Sequence, residues 1–236
     1  MAVTCTAEEF TERLLALATE EQRAEYRRYF KPGDDTFAGV RMGDVFALAK
    51  ECVGMAPAEL GKLLDSPIHE VRAGALSIMD KQGRARRTPP ERRAELYELY
   101  LRRHDRIDNW DLVDLAAPYV VGAHLAGKPR DILDELAGSD DIWRRRTAIV
   151  ATAYFIRQGE TADTFRIAEL LVADPEDLIH KAVGGWVREA GKKDPARLTA
   201  FLDRHAATMP RTMLRYAIER LDPERRAHYR GLKARS

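Results

Sequence analysis

One pattern occurs three times in the sequence and limits the possible folds more than any other feature. An apolar stretch leads into a turn that contains aspartate, and a small alanine follows eight residues after that aspartate. Each copy predicts two helices that are joined by a short turn and packed closely at the small residue. The three copies are residues 63–67 with Ala73, residues 139–141 with Ala148, and residues 171–175 with Ala182.

Helical periodicity continues through the rest of the chain, and no segment alternates apolar and polar residues over the length of a strand. Helical hairpins that recur at intervals of roughly 35 to 45 residues are typical of HEAT-type repeats, which stack into a curved solenoid. We therefore predict a single all-α domain over residues 1–236. Its predicted architecture is a right-handed α-solenoid of HEAT-like helical-hairpin repeats.

The predicted helix bounds follow from caps, prolines and breaks in the periodicity. Thr6 with Glu9 forms a capping-box pattern, and the helix that follows should end near Ala18. Two late helices should start after the caps Asp194 and Asp222. Further helices are predicted over residues 21–30, 41–52, 57–64, 91–103 and 130–137.

The composition bears on the cellular compartment of the protein. Of the 236 residues, 45% are hydrophobic and 33% charged, which is ordinary for a soluble globular protein. No stretch approaches the ~18 apolar residues of a membrane span, and the N-terminus lacks a secretion-signal pattern, so we expect a cytoplasmic protein without membrane contact. Cys5 and Cys52 fit neither a disulfide framework nor a zinc motif. Both are expected to be reduced.

Charge is nearly balanced, because 39 basic and 38 acidic residues give a formal net charge of +1. Arginine nevertheless clusters at residues 84–87, 92–93, 102–106 and 144–146. Each cluster alone is compatible with a solvated helix face. Their recurrence beside the tryptophans favours a basic groove that binds phosphates.

Stacked repeats place equivalent positions of successive second helices on one side of the superhelix. Side chains near Arg72, Asp114, Arg146 and Lys181 are therefore predicted to share a concave and mainly basic surface suited to duplex DNA. Of the consecutive arginines 144–146, we assign Arg146 to this surface. The six histidines include no i, i+4 pair, so we predict no metal site, and no motif calls for a cofactor.

Trp110 and Asp114 are the most informative pair for function. Because they are four residues apart, their side chains lie on one face of a helix and can form one composite surface. Each also has an ordinary alternative, as a core tryptophan and a solvated acid. Asp108 is the better candidate for the helix cap, since Asp114 lies too deep in the helix to cap it.

Four motifs carry a resemblance to a known family. They are N-W-D-L-V-D at residues 109–114, W-R-R-R-T-A at 143–148, K-A-V-G-G-W-V-R-E at 181–189, and M-P-R-T-M-L-R-Y-A-I-E-R-L at 209–221. Together and in this order they resemble the AlkD-type alkylpurine DNA glycosylases, a HEAT-like-repeat DNA alkylation repair family. The resemblance extends over nearly the whole chain.

The resemblance implies a monomeric, monofunctional glycosylase. Its substrate would be duplex DNA that contains cationic alkylated purines such as 3-methyladenine and 7-methylguanine, attacked without a deep base pocket. Trp110 and Asp114 match the catalytic tryptophan and aspartate of the family. The DNA-binding residues would be Arg146, Trp186, Tyr26, Lys181 and Arg72, of which Arg146 matches an arginine that contacts the backbone near the lesion and Tyr26 a tyrosine of the cleft.

The sequence departs from the family pattern at the second indole. Gly185 stands where the family has tryptophan, and Trp186 follows one residue later, about 100° further around a helix. Asp177 and Leu178 hold the places of two nearby family aromatics. Two other functions therefore remain open, a non-catalytic HEAT-like protein that binds damaged or branched DNA and a scaffold for a protein partner.

Overall fold

A computed structural model of the chain describes residues 5–29 and 36–232. This part of the chain contains fifteen α-helices and no strand, with one isolated bridge between Thr36 and Ile68. The predicted all-α class of helical hairpins is confirmed. Its contacts divide the chain into two compact units, residues 1–124 and residues 125–236.

In its described residues, the first unit contains seven α-helices, a 3₁₀ turn at His104–Arg106 and a π-helical segment at Ala117–Gly122. Its α-helices are α1 (Ala7–Leu15), α2 (Glu20–Tyr29), α3 (Met42–Glu51), α4 (Pro57–Leu64), α5 (His69–Arg84), α6 (Pro90–Arg102) and α7 (Trp110–Ala116).

Helix α5 forms the centre of the first unit. Nearly all of its 16 residues are buried, because α3, α4, α6 and α7 all pack against it. Helix α1 starts at the predicted capping box, in which Thr6 and Glu9 satisfy each other's backbone N–H groups. It ends at Leu15 rather than near Ala18, and the predicted end of the second helix at residue 30 lies outside the described residues.

Helix α7 ends at Ala116, and Pro118 gives the physical reason. Proline has no N–H group, so the hydrogen bond that would continue the α-helix back to the carbonyl of Asp114 cannot form. The chain widens here into the π-helical segment, closed by a bond from the Ala123 N–H to the Pro118 carbonyl. The N-cap of α7 is Asn109, whose side chain accepts from the Trp110 N–H at 2.8 Å, and not Asp108 as predicted.

The second unit contains eight α-helices between residues 125 and 232. They are α8 (Ile132–Ala137), α9 (Ile142–Ala151), α10 (Ala153–Arg157), α11 (Ala162–Leu170), α12 (Asp177–Gly191), α13 (Pro195–His205), α14 (Arg211–Ala217) and α15 (Pro223–Gly231). The predicted caps Asp194 and Asp222 both accept backbone N–H groups of the helices that they start.

The three copies of the sequence pattern are the hairpins α4–α5, α8–α9 and α11–α12. Each turn lies where the aspartates predict it. The alanines Ala73, Ala148 and Ala182 are all buried, as expected for positions where two helices meet. The repeat therefore predicted the hairpins and is consistent with the burial of these alanines.

Several clustered arginines bind carbonyl groups of the chain itself. Arg106 donates to the three carbonyls of residues 64–66 at 3.1–3.3 Å, at the end of α4. Arg145 donates to the carbonyls of residues 139–140 at 2.9 Å, after α8. Arg93 donates to the carbonyls of Gly83 and Ala85, at the end of α5. These side chains satisfy carbonyls that a helix end leaves without a donor.

The prediction that both cysteines are reduced is wrong, because Cys5 and Cys52 form a disulfide bond. Cys5 lies just before α1 and Cys52 is the C-cap of α3, and their Cα atoms are 5.4 Å apart. A bond from the Ala7 N–H to the carboxylate of Glu59 also fixes this end of α1. Two cysteines 47 residues apart give no sequence signal for such packing.

Candidate active site

Trp110 and Asp114 lie on one side of α7 and line the same cavity. Trp110 is the first residue of the helix and is partly exposed, and Asp114 follows one turn later with an exposed side chain. The structure therefore brings together the two residues that the sequence pairs by their spacing.

The cavity has a volume of about 510 Å³ and lies within the first unit. Its wall is built from α2, the segment that carries Phe37, and helices α3, α5 and α7. Tyr26 also lines it, so three of the predicted site residues meet at this place. The family resemblance implied no deep base pocket, whereas this chain has a cavity beside Trp110 and Asp114.

Tyr26 is held in place on two sides. Its hydroxyl donates to the carbonyl of Val40 at 3.0 Å, and its ring centroid lies 5.4 Å from that of Phe37. Burial raises the pKa of the Tyr26 hydroxyl, and the negative charge of Glu70 raises it further, against a lowering hydrogen bond to the backbone of Met42. The phenol therefore stays protonated at neutral pH and acts as a donor.

His69 and Asp111 form a pair that sequence reasoning missed. The Nε2 atom of His69 lies 2.8 Å from Oδ2 of Asp111, and the His69 residue is only 1% exposed. The pair joins the first turn of α5 to the first turn of α7. Its partners are 42 residues apart, so no local pattern could have revealed it.

Glu70 fixes the segment that carries Phe37. Its buried carboxylate accepts the backbone N–H groups of the three residues 38–40 at 2.8–3.2 Å. The His69 N–H donates to the carbonyl of Thr36 at 2.9 Å. The part of the cavity wall that carries Phe37 is thus tied to α5 by hydrogen bonds to its backbone on both sides of Phe37.

Arg72 supports the site from inside. It is 2% exposed, and its Nη1 atom donates to Oδ1 of Asp108 at 2.6 Å and to the carbonyl of Arg106 at 3.2 Å. These bonds fix the segment that leads into α7. In this conformation the guanidinium faces protein groups, so we do not retain Arg72 among the proposed DNA contacts.

The predicted DNA-binding residues of the second unit differ in exposure. Arg146 is 7% exposed, and its Nη1 atom donates to the carbonyl of Leu178 at 2.8 Å. Arg145 binds the carboxylate of Asp174. Of the three consecutive arginines, Arg144 is the exposed one. Lys181 pairs with Asp177 at 2.7 Å and remains partly exposed.

Residues 184–186 lie on a continuous stretch of α12. A Cβ atom on Gly184 would overlap the Met213 carbonyl and Tyr216, so this glycine allows α12 and α14 to approach. A Cβ atom on Gly185 would meet nothing within 4 Å. Trp186 is partly exposed, one position beyond the place of the family indole. The helix contains no bulge that would return Trp186 to that place.

Within the described residues, no group of three or more His, Cys, Asp or Glu side chains could hold a metal ion. None of the helices in the same part of the chain has the length and apolar character needed to cross a membrane.

The fold and the site define a protein of helical hairpins with a tryptophan–aspartate pair at a cavity. The DNA alkylation repair enzyme family has a sequence model that matches residues 10–221, and this chain belongs to that family. Membership supports a role in the repair of alkylated DNA and suggests DNA binding.

A solved structure gives independent support for the fold. A protein described as a predicted DNA alkylation repair enzyme from Enterococcus faecalis superposes with a TM-score of 0.68 at 17% sequence identity. The match covers 87% of this chain and 97% of that chain. No curated protein matches the sequence.

Proposed function

We propose that the protein is a monofunctional DNA glycosylase that hydrolyses the N-glycosidic bond of cationic alkylated purines, 3-methyladenine and 7-methylguanine, in duplex DNA. The observation that carries this proposal is the joint position of Trp110, Asp114 and Tyr26 at one cavity. Family membership gives the substrate its general class, alkylated DNA.

The chemistry needs few protein groups. An N-alkylated purine is already positively charged, so it leaves as a neutral base and requires no general acid. Of the two carboxyl groups used in ordinary glycoside hydrolysis, only one is needed. Asp114 would stabilise the positive charge that develops on the sugar and orient the attacking water. The π face of Trp110 would attract the same cation, by about 1–2 kcal/mol where water is excluded.

The test is a single-turnover excision assay on methylated duplex DNA. Asp114→Asn should lower the rate of 7-methylguanine release at least about 100-fold, the usual scale for losing an electrostatic partner of a transition state. Asp131→Asn is the matched control, because Asp131 is an exposed aspartate outside the cavity. Failure of the wild-type protein to release either base would refute the proposal.

The proposed DNA contacts are exposed or partly exposed residues near the start of α9 and in α12. Lys181 and Trp186 belong to this set, and the exposed Arg144 joins them. Arg146 would act through the carbonyl that it holds, by fixing residue 178 beside Lys181. Phosphate contacts of this kind supply affinity without regard to sequence.

A second candidate function is recognition of damaged DNA without excision. Gly185 favours it, because the family that the sequence resembles has a tryptophan at this position and this chain does not. This function predicts salt-dependent binding of methylated duplex, weakened by Arg144→Ala, with no base release by the wild-type protein.

A further inference from the structure

We propose that three cationic side chains of the first unit form a binding site for one backbone phosphate of the DNA, close to the damaged nucleotide. They are Lys50 near the end of α3, and Lys81 and Arg84 in the last turn of α5. These three side chains are called the cationic cluster. The inference rests on the proposed function for its ligand, a duplex whose damaged nucleotide faces Trp110 and Asp114.

The first observation is an excess of positive charge at one place. Burial is the main reason that the pKa of the Lys81 ammonium is lowered, and the positive charges of Arg84 and Lys50 lower it further, against the carboxylate of Asp80. The three cations therefore lie close enough to act on one another. A bound phosphate would neutralise the excess charge, which favours an anion as the ligand.

The second observation is that Arg84 is held on two sides and still accessible. Its Nε atom donates to Oδ2 of Asp80 at 2.7 Å, and its Cζ atom lies 3.9 Å from the centroid of the Tyr119 ring. The side chain is nevertheless 49% exposed, so an anion in solution can reach the guanidinium. A guanidinium that is already ordered loses less freedom when it binds a phosphate.

Lys81 lies where the cluster meets the cavity. Its Nζ atom donates to Oγ of Ser77 at 2.8 Å and lies 5.7 Å from the centroid of the Phe46 ring. Phe46 also lines the cavity, together with Trp110 and Asp114. The cluster therefore borders the candidate active site, and a phosphate bound there would belong to the DNA segment next to the lesion.

The local fold explains why Arg84 and Tyr119 meet. Tyr119 belongs to the π-helical segment, and a Cβ atom on Gly83 would lie 2.7 Å from the Tyr119 carbonyl oxygen, so this glycine allows α5 to approach the segment. Such π-helical turns are frequent at functional sites. Cations in the last turn of a helix also interact favourably with its dipole, but that effect requires neither the stacking of Arg84 nor the close approach at Gly83.

The first experiment replaces single phosphates by neutral methylphosphonates. The duplex carries 2′-fluorinated 7-methylguanine, which resists hydrolysis, and each linkage near the lesion is replaced in turn on both strands. Fluorescence anisotropy measures the affinity. At one linkage or more, wild-type protein should bind about tenfold more weakly, the scale of a hydrogen bond between charged groups. Arg84→Gln should weaken binding of the unmodified duplex by a similar factor and lose less than about twofold more at that linkage, because the contact is already absent.

Arg102→Gln is the matched control. Arg102 is also an exposed arginine in the last turn of a helix, α6, but it lines a different groove, so this variant should match wild type at every linkage. Lys50→Gln changes an exposed side chain and repeats the test at a second member of the cluster. Methylphosphonate losses that are equal in wild type, Arg84→Gln and Lys50→Gln at every linkage overturn the inference.

The outcome does not depend on excision, because the damaged nucleotide in these duplexes resists hydrolysis. Excision is measured separately with hydrolysable 7-methylguanine. Coupling between one linkage and Arg84 without any base release refutes the glycosylase and supports the phosphate site. Base release without such coupling supports the glycosylase and overturns the phosphate site.

The second experiment distinguishes a DNA phosphate from a free phosphate. Inorganic phosphate and chloride are compared at equal ionic strength as competitors of duplex binding. A free phosphate lacks the other contacts of the duplex, so the two salts should lower the affinity of wild-type protein equally. Displacement of the duplex by phosphate beyond the effect of chloride, and its loss in Arg84→Gln, would assign the cluster to a free phosphate and overturn the inference.

Discussion

Gly185 is the residue at which this chain lacks an indole of the family pattern. The sequence predicts this departure, and α12 is a regular helix there, so Trp186 does not take the same place. What the sequence could not predict is the space around it, because that depends on α14, which packs against Gly184 and not against Gly185.

Gly185→Trp should therefore be accommodated and should raise the excision rate. A Cβ atom at this position meets nothing within 4 Å, and the substitution restores the indole that the family pattern has there. We expect a gain of about tenfold, the scale of one cation–π contact. The single-turnover rate with 7-methylguanine duplex checks this. Gly184→Trp is the control, and it should destabilise the fold through its clash with α14. An unchanged rate in well-folded Gly185→Trp would contradict the expectation.

His69→Leu should destabilise the first unit by about 1–3 kcal/mol, because the largely buried carboxylate of Asp111 loses its partner. Urea denaturation measures the change. The double variant His69→Leu with Asp111→Leu should recover much of the loss, since it removes both polar groups. A double variant that is less stable than the single one would show that the pair has another role.

At the scale of elements, the sequence predicted those helix starts and turns that are determined by residues close together in the chain. The capping box of α1, the prolines at the starts of α4 and α13, and the three hairpin turns all rest on short spacings. The arginine caps were not predictable. Arg106 satisfies carbonyls about 40 residues earlier in the chain, so the cluster was read as part of a basic groove.

A network of side-chain ion pairs centred on Asp163 connects helices α8 and α11. Arg130 and Arg166 both donate to its carboxylate, and Arg166 also binds Asp134. Burial acts to raise the pKa of Asp163, but the hydrogen bonds from Arg166 and Arg130 outweigh it, and the pKa lies below its ordinary value of 3.8.

The stability that Asp163 contributes should be lost in acid. With a lowered pKa in the folded state, the contribution is complete above the ordinary value of 3.8 and disappears as the pH falls through the folded-state pKa. Asp163→Asn should cost about 1 kcal/mol or more at pH 7 and show a weaker decline below pH 4. Urea titrations from pH 7 to pH 2.5 measure both. Parallel pH profiles of the two proteins would count against this role.

At the scale of the whole molecule, the question is how many of the basic side chains are available to DNA phosphates. The chain has 39 basic residues and a net charge of +1, and several of its arginines bind carbonyls or carboxylates of the chain itself. The net charge argues against a uniformly basic surface. Counting arginine clusters overestimated the surface available to phosphates, because the internal partners are distant in sequence.

DNA binding should therefore depend on salt only moderately. Each neutralised phosphate contributes about −0.9 to the slope of log K against log salt, and we expect a total magnitude of about 3 to 5. Arg144→Ala should lower that magnitude by about 1. Arg145→Ala should instead lower the melting temperature, because Arg145 binds Asp174 and two carbonyls. Fluorescence anisotropy over a salt series measures the slopes, and equal slopes for wild type and Arg144→Ala would exclude this contact.

The disulfide between Cys5 and Cys52 makes the first three helices part of one covalent ring. That ring carries half of the residues that line the cavity, including Tyr26 and Phe37, whereas the other half belongs to the open chain. Forming the ring removes freedom from the unfolded chain and so stabilises the folded first unit relative to it. The stability of this part of the wall is thereby linked to the thiol chemistry of the compartment, since a reducing environment would turn the ring back into a linear segment.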